Sequence, residues 1–277
     1  MFRFTTLATL VTVFLACAVL YARGQRRAHA SLARRCAFWT GLVLLYLTLQ
    51  TRLDYYAQHE FFVHRLQHLI LHHLAPLILM SSYPGGVLHA GLPLAARSAL
   101  RQFMRRPAVR GVAAVVLHPS LISLVFVLSV VGWLIPPVQF VAMLDDRIYT
   151  AMNWSVAASG LLYWWMLLDH RPSPPARARP GLRVLSPVIT MTPQILAGAI
   201  ITFTQHDLYP VFALCGRAFT GVPAALDQSL GGLIMWVPAG VLEAIGALMA
   251  LHHMMRISAL PLRGETRMRR PRIPVVS

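Results

Sequence analysis

The sequence predicts an all-helical bundle embedded in a membrane, and three observations carry that expectation. Of the 277 residues, 57% are apolar and only 12% charged, with a mean hydropathy of +0.59, a balance that soluble domains do not have. Apolar runs near the length needed to cross a bilayer, about 20 residues each, recur along the whole chain. The arginines between these runs collect in alternate loops, as they do in proteins that thread a membrane repeatedly.

The runs lie near residues 2–21, 36–53, 64–82, 112–133, 148–168, 185–204 and 230–253, which predicts seven transmembrane helices in a single domain covering 1–277. The first begins after Arg3 and ends near Ala16-Cys17-Ala18, a small-residue pattern that also suits a cleaved signal peptide. Cleavage would leave the next arginines on the wrong side, so an uncleaved helix is expected. The first loop carries Arg23, Arg26, Arg27, Arg34 and Arg35, and the third Arg97, Arg101, Arg105, Arg106 and Arg110. The fifth loop, with RPSPPARARPG from Arg171 to Gly181 and Arg183 just beyond it, and the Arg-rich tail 256–277 complete the set. These segments hold 20 of the 25 basic residues. They are expected in the cytoplasm, with the N-terminus outside and the C-terminus inside. The opposite loops hold Asp54, Glu60, Asp145, Asp146, Asp207 and Asp227.

Charge then excludes several functions. The formal charge of +16 is split among short loops between apolar runs, which is explained by topology and by anionic lipids at the cytoplasmic face rather than by nucleic acid. Every basic residue is arginine, so a retinal protein, which needs a lysine Schiff base, is excluded. Cys17, Cys36 and Cys215 form no close pair and indicate neither a disulfide framework nor a dithiol relay. No phosphate-binding glycine loop, G-x-S-x-G or H-E-x-x-H is present, so no catalytic machinery is expected.

Two segments remain as carriers of chemistry. In HRLQHLILHHLAP, from His64 to Pro76, His64, His68 and His72 recur every four residues and share a helical face. His64 and His72 are about 12 Å apart along the axis, which favours one two-histidine site or a relay of two over a single three-histidine site. Neutral imidazoles suit copper, zinc, iron or haem, and added methionine leans toward copper(I). His73 is turned about 100° away and is expected to meet another helix. In DQSLGGLIMWVP, from Asp227 to Pro238, Met235 lies at the depth of His68 as a third soft donor, and Asp227 and His206 lie near an entry site. Glu243, well inside the last run, needs a partner or a proton. Depth arithmetic along the helices nominates His118 as that partner, in a buried polar pair or relay.

The LDQSLGGLIMWVPAG segment resembles the signature of CtaG-type cytochrome c oxidase assembly factors, and HRLQHLILHHLAPLILMSSYPG is similar to that family's other marker. LHPSL at 117–121, GLLYWW at 160–165 and LYPVF at 208–212 follow in the family's order, so the likeness covers about residues 36–255. The resemblance implies a membrane-embedded role in maturing a haem-copper oxidase, with copper as the metal and oxidase subunits as partners. Carried over, the marked positions are His64, Gln67, His68, His118, Asp227, Gln228 and Trp236. Where an acid-histidine pair is expected before Gly160, this chain has Met152-Asn153.

The resulting expectation is an assembly factor of the bacterial inner membrane, not an enzyme, that aids copper delivery through an outward-facing histidine site. A copper or other cation transporter is the main rival, because a transmembrane path would also use outer acids, histidines and a buried glutamate. A b-type cytochrome would need facing histidines at equal depth on two helices.

Overall fold

In a computed structural model, residues 2–173 and 176–268 are described, with side chains over 11–173 and 176–259. Among the described residues 82% are helical and no strand occurs. In chain order the helices are α1 Phe2–Gly24, α2 Leu32–Gln50, α3 Arg52–His59, α4 Phe61–Leu69, a π-helical turn Ile70–Leu74, α5 Ala75–Ser81, α6 Pro84–Gly91, α7 Leu94–Arg105, α8 Pro107–Val116, α9 Pro119–Leu134, α10 Pro136–Leu144, α11 Asp146–Leu167, α12 Pro180–Phe203, α13 Val211–Leu214 and α14 Ala224–Met268. Of the seven expected apolar runs, 2–21, 148–168, 185–204 and 230–253 each fall on one helix, whereas 36–53, 64–82 and 112–133 are divided among consecutive helical elements. By length and apolarity three segments, Leu32–Gln50, Pro180–Phe203 and Ala224–Ala259, are fit to cross a membrane, and the α8–α9 pair makes a fourth if it is one span. The tail arginines beyond 259 lie outside the described side chains.

Two of the runs are not straight. The run at 112–133 breaks between α8 and α9 with a bend of 56°. Pro119 forces the residue before it out of the helical region, and His118 accordingly sits at φ −70°, ψ 129°. The histidine run is interrupted by the π turn. Pro76 has no N–H to offer the His72 carbonyl four residues earlier, and that carbonyl instead accepts from Trp164 Nε1 at 3.0 Å. The wider turn, closed by a bond from the Ala75 N–H to the Ile70 carbonyl, leaves both His72 and His73 buried. Such insertions recur at functional positions.

Among the described residues the helices pack around four apolar clusters, the smallest being Ala142, Tyr149 and Met152. Tyr21 stacks on Phe38 beside Leu42, Leu71 and Val156. Phe126, Tyr163 and Trp164 form a second cluster with Leu77. Phe61, Tyr209, Phe212 and Met235 form a third. Between them α11 presses its backbone against the π turn at Gly160, where a Cβ would lie 2.5 Å from the His72 oxygen and 2.9 Å from its Cα. Gly160→Ala is therefore expected to destabilise the fold by about 1–3 kcal/mol and to loosen the Trp164 bond. Thermal unfolding in detergent checks this, and an unchanged midpoint would show that α11 has room to yield. Outside the clusters, α7 buries no residue and carries Arg97, Arg101 and Arg105 at four-residue spacing, the make-up of an amphipathic helix that lies along a membrane surface.

Candidate functional site

α4 enters the core end-on, and its first turn is completed by a residue far away in sequence. Glu60 occupies the N-cap but makes no side-chain cap bond. The unpaired Phe61 and Phe62 N–H groups instead donate to the Asp227 carboxylate at 3.1 and 2.7 Å. Arg217 donates to both Asp227 (2.9 Å) and Glu60 (3.3 Å), and Glu60 also accepts from the Phe219 N–H. Asp227 is thus a remote cap, with negative charge at the positive end of a helix. It is fully engaged by these three donors. The rest of the DQSLGGLIMW segment does similar work. Gln228 accepts from the Leu208 N–H at 2.7 Å and donates to the Thr204 and His206 carbonyls. Gly232 lets α14 approach the Thr202 backbone of α12, and Trp236 Nε1 donates to Thr202 Oγ1 at 3.3 Å. The motif docks α14 onto α4 and α12.

Beyond this cap the histidine run divides into two groups. His64 and His68 have ring centroids 4.3 Å apart and are both buried. His64 Nε2 lies 3.2 Å from Gln139 Nε2, and the Gln139 oxygen accepts from Arg65 Nη2 at 3.0 Å. His68 Nε2 lies 3.3 Å from Asn153 Oδ1, so the position where the family pattern places a histidine here supplies an amide to His68. Gln67 donates to Asp54 at 2.9 Å and accepts from Tyr149 at 3.2 Å. A cavity of about 20 Å³ is lined by Arg65, His68, His72, His73 and Met235, roomy enough for one water-sized ligand.

The second group is a hydrogen-bonded chain. Glu243 Oε1 is 3.2 Å from His73 Nε2, His73 Nδ1 is 3.3 Å from His72 Nδ1, and His72 Nε2 is 3.2 Å from Ser129 Oγ, itself 2.7 Å from Ser159 Oγ. Glu243 also accepts from Thr190 and Gln194, each at 2.7 Å. One arrangement satisfies every link. The Glu243 carboxylate accepts from the His73 Nε2–H, His73 Nδ1 accepts from the His72 Nδ1–H, and His72 Nε2 accepts from the Ser129 hydroxyl. Reversing the chain moves one proton, which is the property of a relay.

The expected pair of His118 with Glu243 is corrected by this geometry. His118 is exposed at the start of α9, because the Pro119 bend carries it away from the interior, and His73 takes its place. His206 is likewise exposed on the loop after α12 and meets α14 through its backbone carbonyl. Sequence reasoning passed over Arg65, Gln139, Thr190 and Gln194, and took Asn153 only as a departure from the expected acid-histidine pair. Arg65 carried the clearest signal, a charge inside an apolar run.

Among the described residues no three His, Cys, Asp or Glu side chains gather as a metal site. The donors that line the cavity are the His68, His72 and His73 imidazoles and the Met235 thioether, and His68 Nδ1, like His64 Nδ1, is buried without a hydrogen-bond partner. This set suits only a soft ion of low coordination number. Arg65 lines the same cavity with Nε and Nη1 unpartnered, so a bare cation is opposed there and a cation carrying an anionic ligand is favoured. No curated protein and no solved structure matches the chain. The model of the cytochrome c oxidase caa3 assembly factor family does, over residues 13–257. With nearly the whole chain covered, and with the two motif segments forming one connected core, this protein belongs to the cytochrome c oxidase caa3 assembly factor family.

Proposed function

We propose that the protein works from within a bacterial inner membrane, crossing it seven times with its N-terminus outside, and that it presents copper(I) to the maturing oxidase through His64 and His68. The reading rests on the 4.3 Å approach of these two buried rings, with Met235 sharing the cavity that His68 lines. A site short of ligands holds copper transiently, which suits hand-over better than storage. Copper is cargo here, the oxidase subunits are the partners, and no reaction of its own is required. Asp227 and His206 support the site from its rim, by capping and by anchoring a loop, and are not counted among its ligands. The arginine-rich loops face the cytoplasm and its anionic lipids.

The test pairs two measurements on the wild type and a His64→Ala/His68→Ala variant. One is copper(I) bound by purified protein; the other is oxidase activity and copper content in membranes of cells carrying each form. The expected result is joint loss, by at least about tenfold, as second-shell and ligand changes produce at metal sites. Lost oxidase activity with unchanged copper binding would leave an assembly role and reduce the histidines to structure. The rival transporter reading draws on the His72–His73–Glu243 chain beyond the pair. Copper accumulation in sealed vesicles holding the purified protein would favour that reading.

A further inference from the structure

The arginine-rich end of the bundle carries a second concavity that the oxidase role does not use. A pocket of about 760 Å³ is lined by Arg34, Tyr83, His170, His252, His253 and Arg256, drawn from α2, the α5–α6 corner, the segment after α11, and α14. A groove of about 470 Å³ adjoins it through the shared residues Tyr83 and His170, and its other walls include Met80, Gly86, Leu88, Trp165 and Leu168. Both volumes fall in the usual range for ligand sites, about 300–1,000 Å³. One compartment is cationic and rich in donors; the other is mostly apolar.

The pocket is built rather than incidental. Tyr83 is the one non-glycine residue with positive φ, 52°, among the described residues, a conformation that persists where surroundings impose it and that clusters at binding sites. Its hydroxyl meets His253 Nε2 at 3.1 Å, its ring packs edge-on to His170 with centroids 4.4 Å apart, and the Arg34 guanidinium lies 5.0 Å over its face. His253 Nδ1 is buried without a partner. Asp169, which lines the adjoining groove together with Arg171, is occupied by the Arg171 fork at 2.9 and 2.8 Å. Among the described residues no acid lines the pocket of Arg34 and Arg256. Two guanidinium groups repel a metal cation and call for an anion with several oxygens.

We infer that this two-part concavity binds one anionic phospholipid, its phosphate held between Arg34, Arg256 and the histidines and one acyl chain laid along Met80, Leu88, Trp165 and Leu168. The apolar groove continuing from the basic pocket is what favours a lipid over a free phosphate compound. Basic pockets between helix ends at the cytoplasmic side of membrane proteins hold such headgroups.

Native mass spectrometry of the full-length protein in detergent tests this, with phosphatidylglycerol, phosphatidylcholine and inorganic phosphate as probes. The wild type is expected to retain one phosphatidylglycerol, and Arg34→Gln/Arg256→Gln to weaken that retention by about thirtyfold. Gly86→Trp is expected to expel phosphatidylglycerol while leaving phosphate binding unchanged. A Cβ at Gly86 meets nothing within 4 Å, so this variant keeps the fold and decides the matter even if the double arginine variant does not fold. Equal retention of the two lipids, or wild-type retention in the folded variants, would overturn the inference. So would full competition by inorganic phosphate with no effect of Gly86→Trp, which would identify a free phosphate compound as the ligand.

Discussion

Asp227→Ala is expected to cost about 3–5 kcal/mol of stability, the range found when one member of a buried ion pair is removed. Three donors lose their acceptor at once, the Phe61 and Phe62 N–H groups and Arg217. The carboxylate is 1% exposed, so water replaces it poorly. Phe61 is itself a core residue, stacked on Tyr209 at 4.2 Å, and α4 leads directly into the histidine pair. The loss therefore propagates from a cap to the site. Asp227→Asn keeps one acceptor oxygen and is expected to fall between alanine and wild type. Denaturant unfolding in detergent micelles measures both. A variant as stable as wild type but unable to bind copper(I) would reverse the assignment and make Asp227 a ligand.

That carboxylate shows how much was legible in the sequence. An acid beside two glycines at the start of an apolar run announces a purpose, but its partners lie 166 and 165 positions away, and nothing local to Asp227 names them. The helical runs were readable because burying apolar surface in a bilayer imposes length and composition on the segment itself. The bend at His118 was missed because the apolar pattern is continuous across it, although Pro119 marked the place. The π turn was missed for a different reason: a one-residue insertion leaves composition untouched and alters only which side chains share a face. An ideal helix keeps His73 off the face of His72, whereas the inserted residue buries both and joins them at 3.3 Å. Arg65 stood inside the histidine motif, where its charge in an apolar run went unweighed beside the imidazoles.

Glu243 offers the sharpest test of that rearranged core. Glu243→Leu is expected to destabilise by about 3–5 kcal/mol, since it removes the buried carboxylate that Thr190, Gln194 and His73 share as acceptor. Glu243→Gln should cost far less, about 1–2 kcal/mol. Its carbonyl oxygen still accepts from Gln194 and His73. Its amide can face Thr190, whose hydroxyl is free to turn toward the Ser186 carbonyl at 3.1 Å and accept in its place. The substitution also removes a charge, and His73 can remain neutral once the carboxylate is gone, so no isolated charge is stranded. A double-mutant cycle separates the partners. Glu243→Gln with His73→Ala should be non-additive by about 0.5–3 kcal/mol, as expected for residues in contact. With His118→Ala the two effects should add within about 0.5 kcal/mol. Coupling to His118 in place of His73 would require α9 to sit against α14 where the π turn now lies, and would undo the relay along with the pairing.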